Sequence, residues 1–427
     1  MKVLKIKDIV RTISITHKFD KDKLIAINTS DVENGIMHDG TLTAIEDLKG
    51  QFKKTVQKGD ILFSEIRPAN RRFALVTKDD CADYVVSTKL MVLRKYNNEV
   101  DLRYFYYCLT NQPFLDMLQR KAENRIGSFP QITFDLLSEY AFPVPSLSEQ
   151  EKIANIIFSL DHKIELNKQI NDNLEAMAKQ LYDYWFVQFD FPNEEGNPYK
   201  SSGGAMVWNE DLHMSIPCNW KACLLSDYIG CNNTGDWGFD EPAEKRSIKV
   251  GCIRGADIVK LNNLPIRYIK DNNTSKLLSA WDIVIEVSGG SPTQATGRSA
   301  FVTPGVLKRN GGNLTCSNFC HAFTMKDCKA SAYFYFMWRM FYDNNNMFNF
   351  EGKTSGIKNF MTDTFLANKW LDVPTVLLDL FFERVKVIFE QIDNNIEEIN
   401  ALTKQRDELL PLLMNGQATV NYHLSDD

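Results

Sequence analysis

The feature that most constrains this chain is a long helical segment that the sequence contains twice. Residues 146–191 hold no proline and no glycine, and apolar residues recur there every seven positions in two rows. The rows are Ile157, Ile164, Ala178 and Trp185, and Ile153, Leu160, Leu174 and Leu181, interrupted by Asn171 and Asn167. Such heptads predict a helix with a seam for a second helix, and a polar residue in the seam fixes its register. At 1.5 Å per residue, a helix over residues 148–189 would be roughly 60 Å long.

The second copy of this pattern covers residues 375–416. Its rows are Leu378, Val385, Ile392, Ile399 and Leu413, and Phe381, Ile388, Leu402 and Leu409, with Arg406 as the exception. We expect the first helix to begin with a capping box of Ser148 and Glu151, and the second to end at Asn415–Gly416. Two helices of matched length favour an antiparallel pair within the chain. Pairing between chains, or two unrelated core helices, are the alternatives.

The rest of the chain is duplicated too. Gly59-Asp60-Ile61-Leu62 matches Trp281-Asp282-Ile283-Val284. ITFDLLSEYAFPVPS, from Ile132, matches MTDTFLANKWLDVPT, from Met361, at a larger offset along the chain. The change of offset predicts an insertion of about eight residues in the second copy, within residues 288–313. Each repeat is therefore a globular half followed by a long helix, and Asp161 of the first helix corresponds to Asp393 of the second.

Within the first half, residues 60–63, 74–77 and 89–93 are typical of short strands. Residues 102–120 predict one amphipathic helix, so each half should be a mixed α+β domain. The polar stretch 190–220, rich in glycine and proline, predicts a connector into the second half.

Charge is distributed unevenly along the chain, although its net value is -6. Residues 1–146 carry +3 and residues 219–374 carry +4, whereas each long helix carries -4. Two mildly basic globular regions are compatible with local DNA contact. The sequence contains no apolar run long enough to cross a bilayer, so we expect no membrane span. Nine cysteines without an apolar leader favour reduced thiols in the cytoplasm.

Two kinds of loop are candidates for DNA contact. The first follows the Asp60 and Asp282 strands and contributes Arg67, Asn70, Arg71, Arg72, Ser291, Gln294 and Arg298. Arginine can bind guanine through two hydrogen bonds, and asparagine or glutamine can read adenine. The second is glycine-rich and contributes Arg125, Ser128, Gln131, Lys353, Lys358 and Asn359. Glycine lets backbone amides approach phosphates. A solvated charged turn and an ordinary glycine turn are the structural alternatives.

Catalytic signatures are weak. Asn197-Pro198-Tyr199 lacks the second proline of an adenine methyltransferase pocket, and Gly352-Lys353-Thr354 lacks the first glycine of a phosphate-binding loop. Cys316, Cys320 and His321 have no second ligand pair, so buried structural cysteines are favoured over zinc. We expect no catalytic site, no metal and no cofactor.

Both helical regions resemble those of specificity subunits of type I restriction–modification systems. The resemblance lies in PSLSEQEKIANIIFSLDHKIELNKQINDNLEAMAKQLYDYWFVQFDF, in NWKACLLSDYIG and in QIDNNIEEINALTKQRDELLPLLMNGQATV. It implies a subunit that recognises a split double-stranded DNA target. It also implies two bound DNA adenine methyltransferase subunits and a separate restriction and translocation subunit. Trp185 and Phe186, near the end of the first long helix, are then candidates for exposed partner-docking residues, and the alternative is that they belong to the core of the adjacent domain.

The predicted fold class is α+β, with two target-recognition domains held apart by an antiparallel two-helix coiled coil in pseudo-two-fold symmetry. The predicted parts are domains 1–146 and 219–374, helices 147–190 and 375–416, a connector 191–218 and a tail 417–427. The predicted function is DNA sequence specificity without catalysis. A protein-binding scaffold with two repeated domains is the main alternative, and an enzyme with an unrecognised site is another.

Overall fold

The computed structural model describes residues 2–48, 50–124, 130–289, 291, 293–354, 357–414 and 416–417, with the backbone alone at 353, 354 and 357. The chain divides into two compact units. Unit 1 comprises residues 1–165 and 400–427, and unit 2 comprises residues 166–399. Both long helices contribute to both units, because each division falls inside a helix. Each unit is described in turn.

Unit 1 contains twelve short strands within its described residues. They are β1 Lys2–Lys5, β2 Val10–Thr12, β3 Lys23–Ile27, β4 Val32–Glu33, β5 Ile36–Met37, β6 Thr41–Ala44, β7 Phe52–Lys54, β8 Ile61–Ser64, β9 Phe73–Leu75, β10 Tyr84–Ser87, β11 Leu90–Lys95 and β12 Ala141–Val144. Two four-stranded sheets have the orders β6-β3-β10-β7 and β2-β11-β8-β9, and β1 pairs with β12. The predicted strands near 60, 74 and 89 are confirmed.

The helices of unit 1 pack on the second of these sheets. They are α1 Leu102–Thr110, α2 Gln112–Glu123 and α3 Phe134–Ser138, followed by the long helix α4, Leu147–Tyr182. The prediction of one helix over 102–120 is wrong, because Asn111 is extended and caps a new helix by accepting a hydrogen bond from the Phe114 amide. Pro113, in the first turn of α2, lacks the amide hydrogen that a continuous helix needs.

Unit 2 repeats this plan. Its strands are β13 Met206–Asn209, β14 Met214–Pro217, β15 Lys221–Leu224, β16 Ile229–Thr234, β17 Ile248–Ile253, β18 Ile266–Ile269, β19 Ile283–Glu286, β20 Ser288–Gly289, β21 Ser299–Phe301, β22 Leu314–Cys316, β23 Cys320–Met325, β24 Glu351–Thr354, β25 Ile357–Phe360 and β26 Lys369–Asp372. Its helices are α5 Pro304–Arg309, α6 Ser331–Asp343, α7 Thr362–Leu366 and α8 Thr375–Met414. An aromatic core, with Tyr333, Phe334 and Trp338 fully buried, fills this unit.

The duplication predicted from the sequence holds at the level of strand order. The sheets β16-β23-β19-β21 and β18-β17-β22 correspond to β2-β11-β8-β9 and β6-β3-β10, and β15 pairs with β26 as β1 pairs with β12. The predicted insertion is divided between two sites. Four additional residues lie between β19 and β21, and four more between β21 and β22, where α5 forms.

The two long helices pack antiparallel within each unit, as the seam predicts. In unit 1, Arg406 Nη1 donates to Asp161 Oδ1 at 2.8 Å, which explains the charged residue in the seam. In unit 2, Asn167 Nδ2 donates to Glu398 Oε2 at 2.9 Å, and Asn395 Nδ2 donates to Asn171 Oδ1 at 2.8 Å. The polar exceptions therefore bind polar partners across the seam.

The ends of α4 differ from the prediction. The capping box is formed by Ser146 and Glu149, since the Ser146 amide and hydroxyl donate to Glu149 Oε2 at 3.1 and 2.8 Å. Ser148 and Glu151 have the same spacing, and the serine nearest to Pro145 begins the helix. At its other end α4 continues as a π-helical turn, Asp183–Val187. The helix α8 ends at Met414, next to the predicted Asn415–Gly416 stop.

The predicted connector is a folded part of unit 2. The strands β13 and β14 form a hairpin, and the Phe191 ring stacks on Tyr199 and on Trp220, with ring centroids 4.8 and 5.2 Å apart. The Asp190 carboxylate accepts hydrogen bonds from the Ser201 amide and hydroxyl at 2.7 and 2.6 Å. Among the described residues, no helix is long and apolar enough to cross a membrane.

Candidate nucleic-acid interface

In each unit the fold brings the two candidate loops together. In unit 1, the Arg67 amide donates to the Pro130 carbonyl at 3.0 Å, and the Ile132 amide donates to Glu65 at 2.7 Å. In unit 2, β20 pairs antiparallel with β25, with Ser288 opposite Asn359. Two segments that lie far apart in the sequence therefore form one surface, at corresponding positions of the two repeats.

The loop of unit 1 presents a rigid turn to solvent. The turn is a single 3₁₀ turn, Pro68–Asn70, between Arg67 and Arg71, whose φ angles of 47° and 54° are left-handed. Such angles are uncommon outside glycine, asparagine and aspartate, and they hold the backbone in one conformation. The Ala69 amide donates to Gln119 Oε1 of α2 at 3.1 Å, so the turn is fixed on a helix. Arg67 and Asn70 are exposed there.

Two other predicted arginines of this loop are held inside unit 1. Arg71 Nη1 donates to Gln112 Oε1 at 2.6 Å, its guanidinium lies 5.8 Å from the centre of the Phe73 ring, and burial lowers its pKa. Arg72 Nη1 donates to the Ser30 carbonyl at 3.3 Å and lies 3.4 Å from a carboxylate oxygen of Glu33. Both were predicted as DNA contacts, and in the structure they position the loop.

The cations of unit 2 are also paired internally. Arg298 donates two hydrogen bonds to Glu286, at 2.8 and 2.6 Å, and this carboxylate, only 3% exposed, raises the pKa of Arg298. Lys358 Nζ lies 2.8 Å from Glu351 Oε2. Burial acts against ionisation of Glu351, but the hydrogen bonds from Lys358 and Thr296 and the charge of Lys358 together outweigh it and lower the pKa of that carboxyl. Arg298 and Lys358, both predicted as DNA contacts, are thus each bound to a carboxylate of unit 2.

The remaining predicted DNA contacts fall into three groups. Gln131 Nε2 donates to Glu65 Oε2 at 2.9 Å, and Asn359 Oδ1 accepts a hydrogen bond from the Ser288 hydroxyl. Ser291 and Gln294 pair in a short bridge, in which Gln294 is exposed and Ser291 half-buried. Arg125, Ser128 and the side chain of Lys353 lie outside the described part of the chain.

Trp185 and Phe186 are not available to a partner. Their side chains are 4% and 2% exposed and pack in the core of unit 2. The Phe186 ring lies 5.0 Å from that of Phe381 and 4.8 Å from that of Tyr333. The prediction of exposed docking aromatics is wrong, because the π-helical turn directs this part of the helix into the domain.

One feature that the sequence analysis missed is an open groove beside β16 in unit 2. Trp237 and Phe239, 36% and 39% exposed, line it together with Lys270 and Lys276. A signal was present in TGDWGFD, where two aromatic residues alternate with glycine and aspartate. Among the described residues, no group of three or more His, Cys, Asp or Glu side chains could hold a metal ion.

Comparisons with known proteins cover different shares of the chain. Residues 1–176 match the family model of the type I restriction modification DNA specificity domain. The type I restriction enzyme HindI specificity subunit of Haemophilus influenzae is 44% identical over 184 residues, which are 43% of this chain and 40% of that protein. The MjaIX specificity subunit of Methanocaldococcus jannaschii is 27% identical over 329 residues, 74% of this chain and 69% of that one. The match spans less than half the length of the HindI subunit.

A solved structure extends the comparison to both repeats. The S subunit of the type I restriction-modification system from M. genitalium matches with a TM-score of 0.53 at 16% identity, over 97% of this chain and 96% of that one. At this identity the likeness concerns the fold alone. It confirms the predicted class, α+β with two domains linked by a helical coiled coil.

Proposed function

We propose that the chain belongs to the specificity-subunit family of type I restriction–modification systems, whose DNA specificity domain residues 1–176 match, and that it selects the DNA target of such a system. Each repeat would read one half of a split double-stranded sequence. Adenine methylation and cleavage would be performed by partner subunits, and the chain itself would not be catalytic. We also place it in the cytoplasm, where its cysteines stay reduced.

The observation that carries the proposal is the equivalent loop pair in the two repeats. Arg67 and Asn70 in unit 1, and Ser291 and Gln294 in unit 2, follow equivalent strands and lie beside equivalent second loops. We assign base-edge contacts to these four residues, whose hydrogen-bonding groups suit guanine and adenine. The internally paired residues, such as Arg72 and Arg298, would hold the loops in place. The two target-recognition domains would be residues 1–146 and 219–374, on helices 147–190 and 375–416, with the folded connector 191–218 and the tail 417–427.

For the methyltransferase subunits we propose a different surface from the one first predicted. Leu166, Ile170, Met177 and Tyr184 are 46%, 38%, 55% and 38% exposed. At 100° per residue they fall within an arc of about 40° on one face of the helix. Several exposed apolar side chains on one helix face, here with Asn173 and Gln180 between them, are a mark of a protein interface. Two methyltransferase subunits per chain, together with a restriction and translocation subunit, complete the proposed complex.

The proposal is tested by mapping methylated adenines in a host that carries this gene with its methyltransferase gene. We expect a split motif that disappears when the gene is deleted. The double variant Arg67→Ala, Asn70→Ala should relax or abolish one half of the motif. Lys58→Ala, which removes another exposed cation of unit 1, is the matched control and should leave the motif unchanged.

Two outcomes would contradict the proposal. Methylation that is the same with and without this gene would remove the specificity role and favour the protein-binding scaffold. Methylation by the isolated chain would favour an enzyme. For the exposed apolar helix face, Met177→Asp should weaken co-purification of the methyltransferase, whereas Val259→Asp, at a position 73% exposed in unit 2, should not.

A further inference from the structure

The groove beside β16 is built by a loop whose backbone is fixed at several points. The groove encloses about 470 Å³, and its lining includes Trp237, Phe239, Lys270, Asn273, Lys276 and Asn318. The Trp237 amide donates to Asn318 Oδ1 at 2.9 Å, and the Gly238 amide donates to Asp236 Oδ1 at 2.9 Å. Asn273 Nδ2 donates to the second oxygen of that aspartate at 2.6 Å. The Asp236 carboxylate therefore lies in the groove wall as an acceptor of hydrogen bonds from the loop, and it keeps its negative charge.

Two glycines allow the loop to lie against the sheet. A Cβ atom on Gly235 would lie 2.0 Å from the Ser317 carbonyl oxygen, and one on Gly238 would lie 2.7 Å from that of Tyr268. Since both neighbours are backbone atoms, no side chain can be accommodated at either position. Gly238 also has a φ of 65°, which favours glycine. The loop is thus held close to the sheet, and its two aromatic residues, Trp237 and Phe239, stay 36% and 39% exposed.

Arginine side chains keep the two aromatic rings in place without burying them. The Arg267 guanidinium lies 4.4 Å from the centre of the Trp237 ring and donates to the Trp237 and Gly238 carbonyls at 3.0 and 3.1 Å. The Arg246 guanidinium lies 4.3 Å from the centre of the Phe239 ring. Such cation–π contacts are favourable, and here each leaves more than a third of an aromatic residue exposed. Two ordered, exposed aromatic residues in one groove indicate a ligand surface.

The groove also supplies positive charge suited to phosphate. Lys276 Nζ donates to the Thr234 carbonyl and hydroxyl, both at 2.8 Å, and an ammonium group has a third donor left. Lys270 lines the same cavity. The combination of a flat aromatic surface and ammonium groups matches the sugar, base and phosphate of a nucleic acid rather than an apolar peptide.

The groove is continuous with the loop already proposed to contact DNA. Asn318 lines the groove, and its neighbour Phe319, 57% exposed, accepts hydrogen bonds through its carbonyl from the Val287 and Ser288 amides at 2.8 and 3.1 Å. Ser288 begins β20, which leads into Ser291 and Gln294. The two surfaces therefore share one short turn of unit 2.

We propose that this groove binds the DNA backbone at the half-site that unit 2 reads, with phosphates on Lys270 and Lys276 and a sugar or base edge against Trp237. The assignment rests on the proposed function and makes it more specific. Phosphate contacts set orientation, whereas the aromatic contact adds sequence preference through the shape of the DNA or a thymine methyl group. Trp237 would then be a specificity-determining residue outside the two predicted loops.

The test measures DNA binding by the full chain assembled with its methyltransferase, using a duplex that carries the mapped motif and one that lacks it. Trp237→Ala should weaken binding to the motif about tenfold. Trp237→Phe, which keeps an aromatic ring, should retain most of the affinity. Lys270→Ala should weaken binding to both duplexes alike and lower the slope of log affinity against log salt by about one. Trp208→Ala, at a tryptophan that is 56% exposed on the β13–β14 hairpin, is the matched control and should change nothing.

The outcomes separate this proposal from the function on which it rests. If the wild-type complex binds the motif and folded Trp237→Ala and Lys270→Ala bind it equally well, the groove assignment is wrong and the proposed function stands. If the wild-type complex does not prefer the motif, both fail. If Trp237→Ala lowers recovery of the methyltransferase without changing DNA affinity, the groove is a protein surface and the assignment is wrong. Equal melting temperatures of the variants establish that they are folded.

Discussion

The two repeats have the same turn before an equivalent strand, but different side chains form and stabilise it. The strands β8 and β19 follow a turn in which Gly59 and Trp281 have φ angles of 85° and 73°. In both turns the next residue is a buried aspartate that accepts a hydrogen bond from the amide three residues before it, at 2.9 Å for Asp60 and 2.7 Å for Asp282. Arg94 binds Asp60 through two hydrogen bonds of 2.7 Å, whereas Asp282 is bound by the Thr324 hydroxyl at 2.7 Å.

A second pair of corresponding aspartates differs in the same way. Asp161 of α4 binds Arg406 of the other long helix, and its side chain is 33% exposed. Asp393 of α8 binds Arg309 of α5, at 2.6 Å, and the Gly305 amide at 3.1 Å, and its side chain is 10% exposed. The insertion that distinguishes the second repeat therefore supplies the partner of its aspartate. The two repeats therefore share the positions of these carboxylates but not the groups that bind them.

The largest expected effect is at Arg309. Arg309→Met leaves the Asp393 carboxylate in a site where both partners are at most 10% exposed. Removal of one member of a buried ion pair costs about 4 kcal/mol. Arg406→Met leaves a more exposed carboxylate and should cost about 1 kcal/mol. For Arg309→Met the measurement is urea unfolding monitored by tryptophan fluorescence, because all seven tryptophans lie in unit 2. For Arg406→Met it is hydrogen exchange of the amides of α1 in unit 1. Equal losses of unfolding free energy in the two variants would show that the deeper burial of the Arg309–Asp393 pair does not make its removal more costly.

The next largest loss of stability distinguishes Asp60 from Asp282, the aspartates that precede β8 and β19. Asp60→Asn leaves Arg94, only 20% exposed, without its carboxylate and should cost about 3 kcal/mol. Asp282→Asn removes no ion pair, because the partners of Asp282 are an amide and a hydroxyl, and should cost about 1 kcal/mol or less. Hydrogen exchange in β8 and β19 measures the two losses separately. A larger loss in β19 would show that the buried charge, rather than its partner, determines stability.

These pairs also show what the sequence could and could not predict. The motif Gly59–Leu62 and its match at Trp281–Val284 predicted equivalent strands, because burial and turn geometry act locally. The seam residues Asn167 and Asn171 were predicted as polar layers, since heptad spacing alone specifies where they face. The partners of the aspartates could not be predicted, because Arg309 and Asp393 meet only through tertiary packing.

The candidate interface was less predictable for a related reason. Arg298 and Lys358 were predicted as DNA contacts in loops, and in the folded protein they bind Glu286 and Glu351. Sequence spacing does not show which charges become neighbours when strands pair. For Trp185 the sequence left two possibilities open, because a heptad position at a helix end can face either a partner or the adjacent domain, and the structure places it in the core of unit 2.

A smaller effect concerns the left-handed residue of each turn. Gly59→Ala should destabilise unit 1 by about 1 kcal/mol, because an alanine at φ 85° is strained while its Cβ would meet only Leu102, at an ordinary 3.5 Å. Trp281 has the same strained, left-handed backbone conformation. The centre of its ring lies 5.4 Å from that of Phe301 and 5.1 Å from that of Phe382. Trp281→Gly relieves the strain and loses these contacts, so we expect a net loss of about 2 kcal/mol. A stabilised Trp281→Gly protein would show that strain outweighs packing.

The smallest effect is a dependence of the stability of unit 2 on pH. Burial raises the pKa of Asp282, against the lowering effects of the Ser279 amide and the Thr324 hydroxyl. A carboxyl whose pKa is higher in the folded protein binds more protons when folded, so its contribution to stability improves as pH falls through that pKa. Wild type should therefore gain stability relative to Asp282→Asn as pH is lowered from 7 towards the ordinary aspartate value of about 4. Tryptophan fluorescence during urea unfolding follows unit 2 at each pH, and taking the difference between the two proteins cancels the other titrating groups. A difference that does not change with pH would show that the hydrogen bonds to Asp282 fully compensate its burial.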